Sequence, residues 1–272
     1  YGDYLSFQAG MTVEPGVVFQ VANGKGISID GSCSEVSIVG NELTTEGNGS
    51  VTFEGVNGQD WLGIAFTGHC AGSTDNRHLL SYVDIKNTSK AAISAGSRHG
   101  NHAVGQPFTS SNVGNFSMDH ITFDNVAKAF SHGSGDGTVV TMSDFTISNA
   151  KDSCLDFARN SVVTLSEGTM NICNLNENAD GGAIVNDVSD GASTKGSLTV
   201  ENLTVTNSLV NLIDVDFAAV WLQNVSASLT GDSAGYALNS AGRGVSSDIA
   251  WCGLYASCTY VNNLAVTGAS YL

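Results

Sequence analysis

Apolar and polar residues alternate in short runs along most of the chain. Val17-Val18-Phe19, Ile27-Ser-Ile29, Val36-Ser-Ile38, Val51-Thr-Phe53 and Ile64-Ala-Phe66 fall in the first quarter alone. Such period-2 runs predict strands with one buried face, and no dozen-residue segment carries the 3.6-residue apolar period of a helix. Gly, Asn, Asp and Ser punctuate the runs and mark corners. From Leu80 onward one phrase recurs with variations: Leu80-Ser-Tyr-Val-Asp-Ile-Lys-Asn87, Met118-Asp-His-Ile-Thr-Phe-Asp-Asn125, Met142-Ser-Asp-Phe-Thr-Ile-Ser-Asn149 and Val200-Glu-Asn-Leu-Thr-Val-Thr-Asn207. Looser copies are Leu222-Gln-Asn-Val-Ser-Ala-Ser-Leu229 and Val261-Asn-Asn-Leu-Ala-Val-Thr-Gly268. One strand plus one turn, repeated imperfectly, predicts a solenoid rather than a closed globule.

In a parallel β-helix equivalent positions of successive coils stack about 4.8 Å apart. Asn87, Asn125, Asn149 and Asn207 are therefore expected to form an internal ladder, each amide bonding neighbouring coils while tolerating a left-handed turn. Four earlier phrases extend the pattern: Met11-Thr-Val-Glu-Pro-Gly-Val-Val-Phe19, Gly26-Ile-Ser-Ile-Asp-Gly31, Val51-Thr-Phe-Glu-Gly55 and Trp61-Leu-Gly-Ile-Ala-Phe66. With these the chain resembles the right-handed parallel β-helix repeat proteins of the pectate-lyase-like superfamily, in particular secreted and surface-displayed non-catalytic members. The resemblance implies an all-β, single-domain, right-handed parallel β-helix (solenoid) over residues 11–272. Residues 1–10 form an N-terminal extension or strand, and loop excursions are expected near 68–79, 95–114 and 240–259.

Composition narrows the partners. Ten basic residues against 26 acidic ones give a formal charge of −16. A polyanion needs clustered Lys and Arg, so nucleic acid and anionic lipid are excluded as partners. No apolar run is long enough to span a membrane, so no membrane insertion is expected. The chain opens Tyr-Gly-Asp-Tyr without a leader and reads as a mature or trimmed product. The six cysteines, Cys33, Cys70, Cys154, Cys173, Cys252 and Cys258, lack zinc-site spacing. They are expected as structural disulfides of a secreted, extracellular or cell-surface protein. Cys252 with Cys258 would close a local loop, Cys154 with Cys173 would span one repeat, and Cys33 with Cys70 would remain. Sequons at Asn48, Asn87, Asn115, Asn202 and Asn224 are no more than this composition yields by chance.

Aligning the stretch after each turn yields one outward polar column: Ser94, His132, Asp156, Asn186, Asp214 and Asn239, with Asp216 two residues beyond Asp214. Asp156 and Asp214 are expected two coils apart, roughly 9–10 Å, a gap that suits a general acid and base flanking water in an inverting glycosidase. His132 beside Asp156 would relay a proton, and Arg159 would orient a uronic-acid carboxylate. The family's catalytic signatures argue the other way. The Asn-Thr-Asp, Asp-Asp, Gly-His-Gly and Arg-Ile-Lys motifs of polygalacturonases do not occur; Ser131-His-Gly-Ser-Gly-Asp136 only echoes one. The calcium-holding acidic cluster of pectate lyases is missing too, and Arg159 has no basic partner nearby.

Arg98-His-Gly-Asn-His102 lacks a third metal ligand, and Asp136, Asp180, Asp190 and Asp232 read as turn residues. No cofactor or metal is therefore expected, with calcium at such a corner as the exception. Trp61 and Trp221 lie in strand-like runs and are expected in the core or a seam; they and Trp251 would stack sugars if exposed. Residues 1–10 are too short for a helical cap, and Leu264-Ala-Val266 runs almost to Leu272. Uncapped coil ends invite association, so the first reading is a structural or adhesive protein that self-assembles end to end into filaments. The alternative is a polysaccharide lyase or glycoside hydrolase, or a glycan-binding module, working along the polar column.

Overall fold

The computed structural model describes residues 3–7, 10–29, 35–42, 49–67, 77–96, 114–132, 138–158, 161–175, 182–188, 196–209, 211–215, 219–230, 238–240 and 258–268. Almost all of them lie in strands or the corners between them. The first seven strands are short: β1 (Tyr4–Phe7), β2 (Met11–Val13), β3 (Val18–Val21), β4 (Gly26–Ile29), β5 (Val36–Val39), β6 (Val51–Gly55) and β7 (Ile64–Phe66). Long and short strands then alternate: β8 (Arg77–Lys86), β9 (Ala91–Ala95), β10 (Asn115–Asp124), β11 (Lys128–His132), β12 (Val139–Ser148), β13 (Leu155–Ala158) and β14 (Val162–Asn171). The same alternation continues through β15 (Gly182–Val188), β16 (Ser197–Ser208), β17 (Asn211–Val215), β18 (Ala219–Leu229), β19 (Leu238–Ser240) and β20 (Cys258–Thr267).

The strands join two long sheets, and every pairing is parallel. One has the order β1-β4-β7-β9-β11-β13-β15-β17-β19. The other runs β2-β5-β8-β10-β12-β14-β16-β18-β20, with β3 and β6 paired beside it. From β7 onward successive strands alternate between the sheets, whereas β2 with β3 and β5 with β6 are consecutive strands of the same sheet; each lies beside its equivalent in the next turn. This all-β architecture is consistent with a parallel β-helix.

The long strands are bent. Their sixth residues, Tyr82, His120, Asp144, Glu167, Asn202, Asn224 and Asn263, all take the left-handed conformation, with φ between 48° and 60°. One such residue breaks the in/out alternation. In β10 the buried side chains are Phe116 and Met118, then Ile121 and Phe123, with Asp119 and His120 both turned out between them. Each long strand is therefore two limbs, separated in earlier turns: β5 pairs with the first limb of β8 and β6 with its second. The recurring phrase straddles this bend, and its apolar positions are spaced three and then two.

The corner asparagines occupy a second column of left-handed residues. Asn87, Asn125, Asn149, Ile172 and Asn207 have φ between 52° and 61°. The expected ladder differs in two ways. Its members are half-buried or exposed rather than internal. It is also broken: Asn125 Nδ2 donates to Asn87 Oδ1 at 2.8 Å, but Asn149 donates to Asp124 and Asn207 to Asn171. Ile172 stands where another Asn would continue the column.

One apolar core runs from Met11 to Leu229. Phe66, Phe116, Phe130 and Phe157 follow one another through it with centroid spacings of 5.0, 5.4 and 5.6 Å, the first two pairs edge-to-face and the third tilted. His78 sits buried against both Phe66 and Phe116, its ring centroid 4.8 and 5.0 Å from theirs. Cys154 and Cys173, both buried, form a disulfide with Cα atoms 5.3 Å apart. Cys33, Cys70 and Cys252 lie outside the described residues, as do the greater parts of the three expected excursions; residues 77–79 and 258–259 within them belong to β8 and β20.

Candidate functional site

The register of the nine-stranded sheet defines its outward column directly. Ser6, Ser28, Ala65, Ser94, Ser131, Asp156, Val185, Asp214 and Asn239 lie opposite one another on successive strands. They alternate with the inward Ile27, Ile64, Ile93, Phe130, Leu155, Ile184 and Ile213. Two expected members are displaced. Ser131 rather than His132 lies opposite Asp156, because the corner after Asn125 reaches the inward Phe130 in one residue fewer than the corner after Asn149 reaches Leu155. A one-residue slip reverses the face. His132 is accordingly 1% exposed, with Nδ1 3.2 Å from Ser161 Oγ and Nε2 3.1 Å from Thr138 Oγ1. Both ring nitrogens are engaged inside the fold, so His132 does not stand beside Asp156 in the outward column.

Val185 rather than Asn186 takes the next place, since Ile184 comes twelve residues after the corner residue Ile172 whereas Leu155 comes six after Asn149, and the phrase count does not carry across. Asp156 and Asp214 are two strands apart in register, flanking Val185. Asn239 pairs with Asp214. Arg159 and Asp216 lie outside the described residues, as do Trp251, the Arg98–His102 segment and the turn aspartates Asp136, Asp180, Asp190 and Asp232.

Several of the column's described members are shut off from solvent. Ser94 and Asp156 are 3% and 5% exposed although they face away from the core. Lys128 Nζ donates to Asp156 Oδ2 at 2.8 Å and lies 3.7 Å from Asp152 Oδ2. This carboxylate is balanced by a fixed cation rather than held free beside water. Among the described residues no group of three or more His, Cys, Asp or Glu is arranged to hold a metal ion.

The two-limbed sheet carries a different kind of surface. On its first limb Leu79, Ser117, Thr141, Thr164, Thr199, Trp221 and Tyr260 form one outward column. Trp221 and Tyr260, on adjacent strands, are 44% and 48% exposed. Gln223 and Asn262 stand two residues further along the same strands, also paired and exposed. Trp221 is thus a surface residue, not the core or seam residue its strand context predicts. Trp61 does lie in the core, its indole N–H donating to Lys86 O at 2.7 Å.

The bend carries a side-chain file that the strand pattern hides. Tyr82 and His120 stack with centroids 4.3 Å apart, and His120 Nδ1 contacts Asp119 Oδ2 at 2.9 Å. Further along, Asn263 donates to Asn224, Asn224 to Asn202 and Asn202 to Glu167. Partial desolvation, then the Glu42 carboxylate, pushes the Tyr82 phenol above the usual tyrosine value. The legible signal was the pair of polar residues inside every copy of the recurring phrase.

No family model and no curated protein matches the chain. Among solved structures, the alginate lyase from Paenibacillus sp. str. FPU-7 aligns over 96% of this chain and 100% of its own, at 11% identity and a TM-score of 0.25. At that TM-score the likeness carries no structural argument.

Proposed function

We propose that the chain is an extracellular right-handed parallel β-helix that binds a polysaccharide along the first limb of its bent sheet. The observation that carries this reading is the exposed pair Trp221 and Tyr260, set on adjacent strands with the amides of Gln223 and Asn262 beside them. Aromatic faces stack on the apolar faces of sugar rings, while amides and hydroxyls of Thr199 and Thr164 meet ring hydroxyls. The strand repeat of about 4.8 Å sets these groups in a row suited to a polymer rather than a single sugar. The charge of −16 favours an uncharged polysaccharide, because a polyuronate would be repelled. Hydrolase or lyase chemistry at Asp156 and Asp214 is the weaker reading, since Lys128 already neutralises Asp156. No described contact favours the filament-forming or adhesive role over glycan binding.

Native electrophoresis through gels cast with β-glucan, xylan, mannan, alginate or pectate tests the proposal. Retardation by a neutral polymer is expected, weakened about tenfold in Trp221→Ala and Tyr260→Ala. Migration unchanged in every gel would sink it. Reducing-sugar or unsaturated product that disappears in Asp156→Asn and Asp214→Asn would replace it with the enzyme.

A further inference from the structure

Lys128 opens β11, and its Nζ reaches Asp156 on the neighbouring parallel strand β13 at 2.8 Å. Asp152 Oδ2 lies 3.7 Å from the same nitrogen. Side-chain exposure falls from 37% at Asp152 to 20% at Lys128 and 7% at Asp156. An amine and a carboxylate are therefore held in hydrogen-bond contact where most water is excluded, with a second, wetter carboxylate beside the amine. Removing an ion pair from water favours its neutral amine and acid forms relative to the solvated pair. Fixed juxtaposition adds an effective concentration that reaches about 10⁵–10⁸ M in well-oriented systems. That is enough to reverse the preference of free amines and acids to remain uncondensed in water.

We infer that Lys128 and Asp156 condense to an intramolecular isopeptide bond, with Asp152 moving the proton. The Lys128 ammonium first passes a proton to the Asp156 carboxylate, leaving a neutral amine and a neutral acid. The Nζ lone pair then adds to Asp156 Cγ. Asp152 accepts the proton shed by the nitrogen and returns it to the departing hydroxyl, which leaves as water. One C–N bond forms, one C–O bond breaks, and nothing is oxidised or reduced, so no co-reactant is needed. The product ties β11 to β13 covalently. Cys154, two residues before Asp156, ties the same corner onward to Cys173. Two covalent links in succession would then lock three consecutive turns.

The intact mass of the whole chain, produced without glycosylation and with its disulfides reduced, is the direct test. The expected mass is one water below that of the sequence. Trypsin is expected to leave the Lys128–Ala129 bond uncut, inside a branched peptide whose fragment ions join Lys128 to Asp156. Lys128→Arg keeps a cation and restores the full mass. Asp156→Asn offers an amide as acceptor and is expected to lose one ammonia instead of one water, a signature that an ion pair cannot produce. Asp152→Ala is expected to leave most chains uncondensed. A wild-type mass equal to that of the sequence, with ordinary cleavage after Lys128, overturns the inference and leaves only an ion pair.

Discussion

Ile172 holds a φ of 61°, which a β-branched side chain rarely tolerates, and it interrupts the corner column between Asn149 and Asn207. Left-handed backbone costs an ordinary L residue about 1–2 kcal/mol, and Gly or Asn much less. Ile172→Asn is therefore expected to raise stability by about 1 kcal/mol, read from the denaturation midpoint; Asn125→Ala should lower it by a similar amount. Gly168 poses the opposite constraint. A Cβ there would lie 2.2 Å from the buried Phe145 ring, which fills the space that an apolar side chain occupies in neighbouring turns. Gly168→Ala should cost about 1–3 kcal/mol by overpacking. The Tyr82 phenol titrates above an ordinary tyrosine. Its raised value means that the folded chain favours the neutral ring. That contribution is whole below the ordinary tyrosine pKa and disappears as pH climbs through the raised one. Ultraviolet titration of wild type against Tyr82→Phe should show one late-ionising phenol lost.

Strands were the most legible elements, because alternation marks a half-buried strand wherever it occurs. Faces were less legible. The corner after Asn125 is one residue short, so counting from phrase to phrase put His132 outside when it lies inside between Ser161 and Thr138. Trp221 shows the same limit in reverse: a large apolar residue in a strand reads as core, and only its register with Thr199 and Tyr260 places it outward. The charged corner of Lys128, Asp152 and Asp156 was invisible because Lys128 comes from one turn and the two aspartates from the next. At that corner the Cys154–Cys173 disulfide closes a loop across a separation of 19 residues. Replacing both cysteines by serine should cost about 2–4 kcal/mol. Hydrogen exchange should then quicken in β13 and the end of β14, which flank the two cysteines, before it does in β10.

At the scale of the molecule, charge and binding face are complementary choices. A surplus of 16 negative charges keeps polyanions away, while Trp221, Tyr260, Gln223 and Asn262 offer a face with no formal charge. Affinity for a neutral polysaccharide should accordingly change little as salt is raised, because no counterions are released on binding. A strong loss of retardation with added salt would instead mark an ionic contact.

The single left-handed residue in each long strand also has a meaning for how such a chain can grow. Where β5 ends at Val39 and β6 begins at Val51, extra chain has entered at the very place where β8 spends only Tyr82. The bend is a splice point: residues added there leave both limbs in register and the core undisturbed. A foreign loop grafted between Asn202 and Leu203 should leave the fold intact, whereas the same graft two residues later, inside the second limb, should destroy it.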